Sequence, residues 1–207
     1  VALLAIYIRP QSAHQPADHL EQSFDVFDEQ LRMLQSQGKQ VFVCGDFNAH
    51  IGREPEYSST DEGPVRSYPW LMLQRRLYVP TTPNLAGQLL REVVVQNSLM
   101  LTTGRGKGDE GQPTSGFAAN SNGARVDHVV VTPPLFAAIR RIDATRHFPI
   151  SDHAPIKVSF TTLASPLDLR LPPYAPNPLA AQERICWREE GRLQYVRTLE
   201  QDSQCAE

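Results

Sequence analysis

The sequence predicts an α/β fold whose strands deliver polar groups at their ends, and three observations predict it. Short apolar runs suited to buried strands flank a segment of helical period within the first fifty residues. Several of those strands end or begin in Asp46, Asn48, Asp127, Asp152 and His153, groups that add nothing to a core. The chain has 207 residues, 41% apolar and 21% charged, enough for one sizeable core plus a tail.

VALLAIYI, residues 1–8, is apolar almost throughout and bounded by Pro10, so it reads as a strand buried on both faces. A chain opening on such a strand is expected to be preceded by further sequence. From Asp18 to Ser36, Leu20, Phe24, Phe27, Leu31 and Leu34 recur at steps of four and three, which aligns one apolar helix face; Gly38 closes the helix. Val41 to Cys44 is then a short strand, and GDFN at 45–48 stands at its C-terminal end, where layered sheets place ligands. Pro55, Pro64, Pro69, Pro80 and Pro83 make residues 52–83 a long surface excursion without regular structure.

Asn84 is suited to cap a second helix that turns Leu85, Leu89, Leu90, Val93 and Val94 to the core and ends near Asn97, with a strand at Ser98 to Thr102 after it. GRGKGDEGQ, 104–112, lacks the spacing of a phosphate-binding P-loop and reads as a flexible polar turn. Val126 to Val131 is a buried strand, PPLFAAIRRI a short helix starting at a proline, and PIKVSF, 155–160, an alternating final strand. The domain is expected to span 1–162. A Pro-rich linker and charged tail, 163–207, carry Trp187, Tyr195 and Leu199, enough for a small helix but not a core.

No run of eighteen apolar residues occurs, and no basic leader precedes the first apolar run, so a soluble, intracellular protein with no membrane partner is expected. Cys44, Cys186 and Cys205 are odd in number and widely spaced, which suits neither a disulfide framework nor a zinc site and points to a reducing compartment. A net charge of -3 argues against a broad basic nucleic-acid surface. It leaves room for an enzyme touching a few phosphates, with a metal offsetting part of the charge.

Each polar cluster alone is explained by turn-making or by a satisfied backbone amide. Together they are the parts needed to hydrolyse a phosphate ester: a carboxylate to orient and deprotonate water, an amide to bond a phosphoryl oxygen, and a histidine to answer the developing charge. Asp127 is the candidate carboxylate for fixing the His153 tautomer and favouring imidazolium. His128 should point to the opposite face by strand alternation and, like His50, is left out. Arg9, Arg105, Lys107 and Arg125 come from loops or strand ends near the motifs and are expected to surround the site as phosphate contacts.

GDFNAH at 45–50, RVDHVVVT at 125–132 and SDHAPI at 151–156 match, in order, three signature blocks of the endonuclease/exonuclease/phosphatase superfamily, and AIYIRP matches the strand bearing its active-site tyrosine. The chain resembles that superfamily from residue 1 to about 162. The resemblance implies the DNase I-like fold, a four-layer α/β sandwich of two packed sheets flanked by helices. It implies that Asp46 orients or activates water, Asn48 holds the phosphate, Tyr7 contacts the scissile phosphate, Asp127 orients His153, and His153 stabilises the developing charge. Asp152 would sit at or beside a Mg²⁺ site, with Mn²⁺ as the other candidate ion.

Within the superfamily, VFVCGDFNAHIG, then NLAGQLLREVVVQNSLMLTTGR, then DEGQPTSG, resemble the apurinic-type endonucleases of non-LTR retrotransposons. Those enzymes nick chromosomal DNA to prime reverse transcription. This branch implies a DNA substrate, a reverse transcriptase domain downstream in a parent polyprotein, nuclear action, and a substrate-side role for Thr114. The superfamily also has upstream strands carrying an asparagine and the principal metal-binding glutamate. They would precede Val1, so the chain is expected to be an N-terminally incomplete domain with a weakened metal site. The alternatives are another phosphoesterase of the same fold (phosphatase, deadenylase or sphingomyelinase-like) and a non-catalytic binding module.

Overall fold

Helix α1, Asp18–Ser36, has the bounds its apolar spacing predicts in the computed structural model, which describes residues 1–10, 18–58, 64–68, 72, 75–77, 82–116, 123–144 and 151–161. The expected linker and tail, 163–207, lie outside the described residues. Leu20, Phe24, Phe27 and Leu31 of α1 are buried, each contributing roughly 1.5–3 kcal/mol of burial free energy.

The strands β1 (Ala2–Tyr7), β2 (Val41–Asp46), β3 (Met100–Leu101) and β4 (Asp127–Val131) form one sheet in the order β1-β2-β4-β3, with β1 and β2 parallel and the other pairs antiparallel. Helix α2, Pro64–Ser67, is one turn. Helix α3, Leu85–Gln96, starts where expected: the Asn84 side chain accepts from the Gly87 N–H at 2.8 Å. At its other end the Asn97 side chain donates to Asp28 Oδ1 at 2.6 Å and so ties α3 to α1. After α4, Pro133–Ala138, strands β5 (Ile139–Ala144) and β6 (Ile156–Phe160) form a second, two-stranded sheet.

Phe42 of β2 meets Phe160 of β6 at 5.6 Å between ring centroids, so the second sheet packs on the Phe42 face of the first. By alternation Val41 and Val43, both fully buried, face the helices. Two sheets and flanking helices give the α/β class the sequence predicts.

Four expectations need correction. Strand β1 is buried on one face only: it is the edge of its sheet, its residues alternate between half-buried and exposed, and Leu3 is 71% exposed. The excursion is not wholly irregular, since Pro64 opens α2 and Tyr57, Val65 and Met72 enter the core. The strand expected at 98–102 shrinks to two residues because Leu99 still donates to the Val94 carbonyl at the end of α3. The helix expected through PPLFAAIRRI stops at Ala138. Ile139 and Ile142 are buried as β5 pairs with β6, and that tertiary pairing outweighs the local helical pattern.

Candidate active site

Backbone register assembles the site. Tyr7 pairs with Asp46 across β1 and β2, and Asp46 pairs with Asp127 across β2 and β4. Neighbouring strands lie ~4.8 Å apart, so three polar side chains stand in one row on one face of the sheet. Gly45 permits this close approach, because a Cβ there would meet the Ile6 carbonyl oxygen at 1.9 Å.

Two carboxylates directly opposite each other repel, and two neighbours offset that. Asn48 adopts φ 47°, a left-handed conformation that asparagine tolerates. Its backbone N–H donates to Asp46 Oδ1 at 2.9 Å, and its side-chain amide donates to Asp46 Oδ2 at 3.2 Å and to the Ile8 carbonyl at 2.8 Å. In this arrangement Asn48 orients Asp46. His153 supplies the second offset: Nδ1 donates to Asp127 Oδ2 at 2.9 Å, and Nε2 lies 4.0 Å from Asp46 Oδ2.

The electrostatics follow from this bracket. Burial raises the Asp46 pKa, the Asn48 amide N–H pulls it back, and the Asp127 charge adds to the rise. For His153 burial opposes protonation, but the hydrogen bond and charge of Asp127, with Asp46 and Asp152 behind them, hold the imidazole above its ordinary range. The result is two neighbouring groups that each hold a proton more readily than they would in water. Ser151, first residue of the SDHAPI block, accepts from the His153 backbone N–H at 3.0 Å and so helps to shape the turn.

The other expected site residues divide. Tyr7 is 66% exposed beside Asp46, and Arg9 is exposed just beyond the end of β1. Asp152 is exposed next to His153. Arg105 and Arg125 are not phosphate contacts: Arg105 is buried against Glu56, and Arg125, fully buried, pairs with Asp109 at 2.8 Å. Lys107 stands with Nζ 5.3 Å from the Phe136 ring centroid, in the helix after the end of β4 remote from Asp127. Thr114 is fully buried and bonds backbone groups, so it does not touch substrate.

His128 is buried on the opposite face, as alternation predicts, with Nε2 2.8 Å from the Ala49 carbonyl and Nδ1 2.8 Å from the Thr103 hydroxyl. Burial, helped by the Arg125 charge, depresses its pKa to about 3, so it is a neutral structural group. Cys44 lines an open concavity with Gly45, Asp127, Ser151, His153 and Ile156, but burial pushes its thiol up, away from a nucleophilic thiolate. Tyr68 and Met72 of the excursion pack inward, Tyr68 against Phe136 and Met72 fully buried.

A carboxylate row capped by a histidine is what the family comparison meets. The model of the endonuclease/exonuclease/phosphatase family matches residues 3–153. The chain belongs to that family. Its members are hydrolytic nucleases and phosphatases, generally dependent on a divalent metal. No curated protein matches the sequence.

Among solved structures this family member is similar to a 3' phosphatase, NExo from Neisseria, bound to product DNA hairpin (17% identity, TM-score 0.51, 76% of this chain and 60% of that one). It is similar also to the 3'-5' exonuclease NExo from Neisseria meningitidis (16% identity, TM-score 0.51, the same coverage). The endonuclease domain of TRAS1, a telomere-specific non-LTR retrotransposon, matches at 16% identity and a TM-score of 0.44, over 72% of this chain and 52% of that one. The likeness to the two Neisseria structures shows the fold, and the chain spans 60% of their length.

Mg²⁺ takes oxygen ligands, usually one or two carboxylates completed by water and phosphate oxygens. Among the described residues no group of three or more His, Cys, Asp and Glu could hold a metal. Asp46 and Asp127 are engaged by Asn48 and His153, and Asp152 is a lone exposed carboxylate. The described residues therefore do not build a resident metal centre by themselves.

Proposed function

We propose that this chain derives from a phosphodiesterase that nicks DNA, of the type encoded by non-LTR retrotransposons, acting in the nucleus beside a reverse transcriptase domain of the same polyprotein. The observation that carries the hydrolytic reading is His153 held between Asp127 and Asp46 at the end of the strand row. The retrotransposon branch is supported by the motif forms of the sequence.

In this reading Asp46 receives a proton from the attacking water while the new oxygen–phosphorus bond forms. Its raised pKa suits it to that task. His153, cationic and fixed by Asp127, faces the phosphoryl oxygens and stabilises the negative charge that grows on them as the bond to the leaving oxygen breaks; that oxygen leaves with the bonding pair and takes a proton from solvent, to which Asp46 returns the one it received. Tyr7 offers a hydroxyl to the same phosphate, and Arg9 draws a flanking one.

The test is supercoiled plasmid incubated with Mg²⁺ or Mn²⁺, with and without EDTA. With only lone carboxylates to offer a metal, the 207-residue chain is expected to give at most trace nicking. A form that supplies further carboxylates to the metal is expected to nick, and His153→Ala to slow that by roughly two to four powers of ten. Robust EDTA-sensitive nicking by the 207-residue chain would show that Asp46 and Asp152 suffice for the metal; nicking indifferent to His153 would sink the catalytic assignment.

A further inference from the structure

We propose that Thr114, together with the buried Asp109–Arg125 pair, positions the Asp127–His153 couple. The inference deepens the proposed function, because it rests on reading that couple as catalytic. It also gives a role to the GRGKGDEGQ loop, which its sequence presents as a flexible polar turn and whose Asp109 is buried.

Strand β4 has a partner on its β3 side only at Val130 and Val131, with one further bond from the Thr102 N–H to the Val129 carbonyl. At Asp127 that side has no strand among the described residues. The Thr114 hydroxyl takes its place, accepting from the backbone N–H of Asp127 at 3.2 Å and of Val126 at 3.3 Å. The Asp127 carbonyl accepts from Arg125 Nε at 2.7 Å. Both backbone polar groups of the residue that orients His153 are thus held by side chains that are themselves fully buried.

Arg125 is held in turn. Its Nη2 donates to Asp109 Oδ2 at 2.8 Å and its Nη1 to the Gln112 carbonyl at 3.0 Å, while the Gly111 N–H donates to Asp109 Oδ1 at 2.8 Å. A buried, charge-assisted pair of this kind fixes geometry better than a solvated loop can. The same segment reaches the other half of the couple: the Ala154 N–H donates to the Thr114 carbonyl at 2.7 Å, and Ser115 bridges to both Ala124 and His153. Residues 112–116 form a crosspiece between the Asp127 strand and the His153 turn. Such a frame is needed because Asp127 faces Asp46 directly and, loosely held, would swing away from it.

The experiment follows the His153 Nδ1–H proton by NMR at fixed pH, in wild type, Thr114→Val, Thr114→Ser and Asp127→Asn. Hydrogen-bonded to Asp127, that proton should be shifted downfield and slow to exchange with water. Thr114→Val, of nearly equal shape, removes both hydrogen bonds to that hydroxyl, and losing the one that holds the Asp127 N–H should by itself speed exchange about five- to tenfold. Thr114→Ser should return it to the wild-type rate. The ring signals of His128, buried on the other face, should stay put in all variants and report an intact fold. Unchanged exchange in a folded Thr114→Val protein, or equal loss in the Val and Ser variants, overturns the proposal. Should Thr114→Val not fold, Asp109→Asn decides it by the same measurement, faster exchange supporting the frame and wild-type exchange refuting it. If Asp127→Asn leaves the proton unaffected, the couple itself is wrong and the proposed function fails, a result distinct from either outcome at Thr114.

Discussion

Two three-residue charge clusters in this protein are built on opposite plans. Glu56 is sandwiched between Arg76 and Arg105, all three side chains at most 2% exposed, and Arg76 also donates to the Leu101 and Thr103 carbonyls at 2.9 and 3.0 Å. Burial alone would raise the Glu56 pKa, but the two guanidinium groups hold it below its ordinary value, while burial and the Arg76 charge depress Arg105 to about 10. In the Asp46–His153–Asp127 cluster the side chains keep 17 to 33% of their exposure, and negative charge is in excess. A dry cluster uses its charges on one another and on backbone carbonyls. A cluster at a strand end leaves charge and hydrogen-bonding capacity facing water, where a phosphate and a proton can use them.

The largest expected effect tests whether that difference is functional. In a form of the protein that nicks plasmid, Asp46→Asn and His153→Ala should each lower the rate by roughly two to four powers of ten. Their urea midpoints should stay near wild type. Glu56→Gln should do the reverse, costing about 3–5 kcal/mol by leaving two buried guanidinium groups without a counter-charge. Equilibrium denaturation of both classes is the check, and a Glu56→Gln protein as stable as wild type would break the comparison.

Acid provides a third, smaller effect. The unfolded chain protonates His128 near 6.5, whereas the folded protein resists until about 3, so between those values the unfolded state binds more protons. The stabilisation is full above about pH 6.5 and is lost as pH falls toward 3, on the order of a few kcal/mol in all. His153 has the opposite sign: its pKa is raised by Asp127 against burial, so its contribution is present below the unfolded value and lost as pH rises through the folded one. Urea midpoints from pH 7.5 to 4 should fall in wild type and fall less steeply in His128→Gln; identical slopes would assign the acid loss to other groups. The smallest effect belongs to exposed Arg9, whose change to alanine should reduce the salt dependence of DNA binding by about one unit and leave stability unchanged.

The sequence by itself determined the elements whose cause is local. The α1 bounds follow from side-chain period and the start of α3 from a capping asparagine, while for His153 the residue types offered Asp127 only as a candidate partner. Only the tertiary structure decided what depends on partners distant in the chain. Strand β5 exists because β6 pairs with it, although its own residues read as helix. Strand β1 exposes Leu3 and Tyr7 because no described residue packs closely on that face, although its composition suits a strand buried on both. Arg105 and Arg125 look the same as Arg9 in a polar stretch, yet Glu56 and Asp109 lie close enough to neutralise them once the chain is folded. The reason is physical: period and capping energies are set within a few residues, whereas burying a charge becomes tolerable only when its counter-charge arrives from elsewhere in the fold.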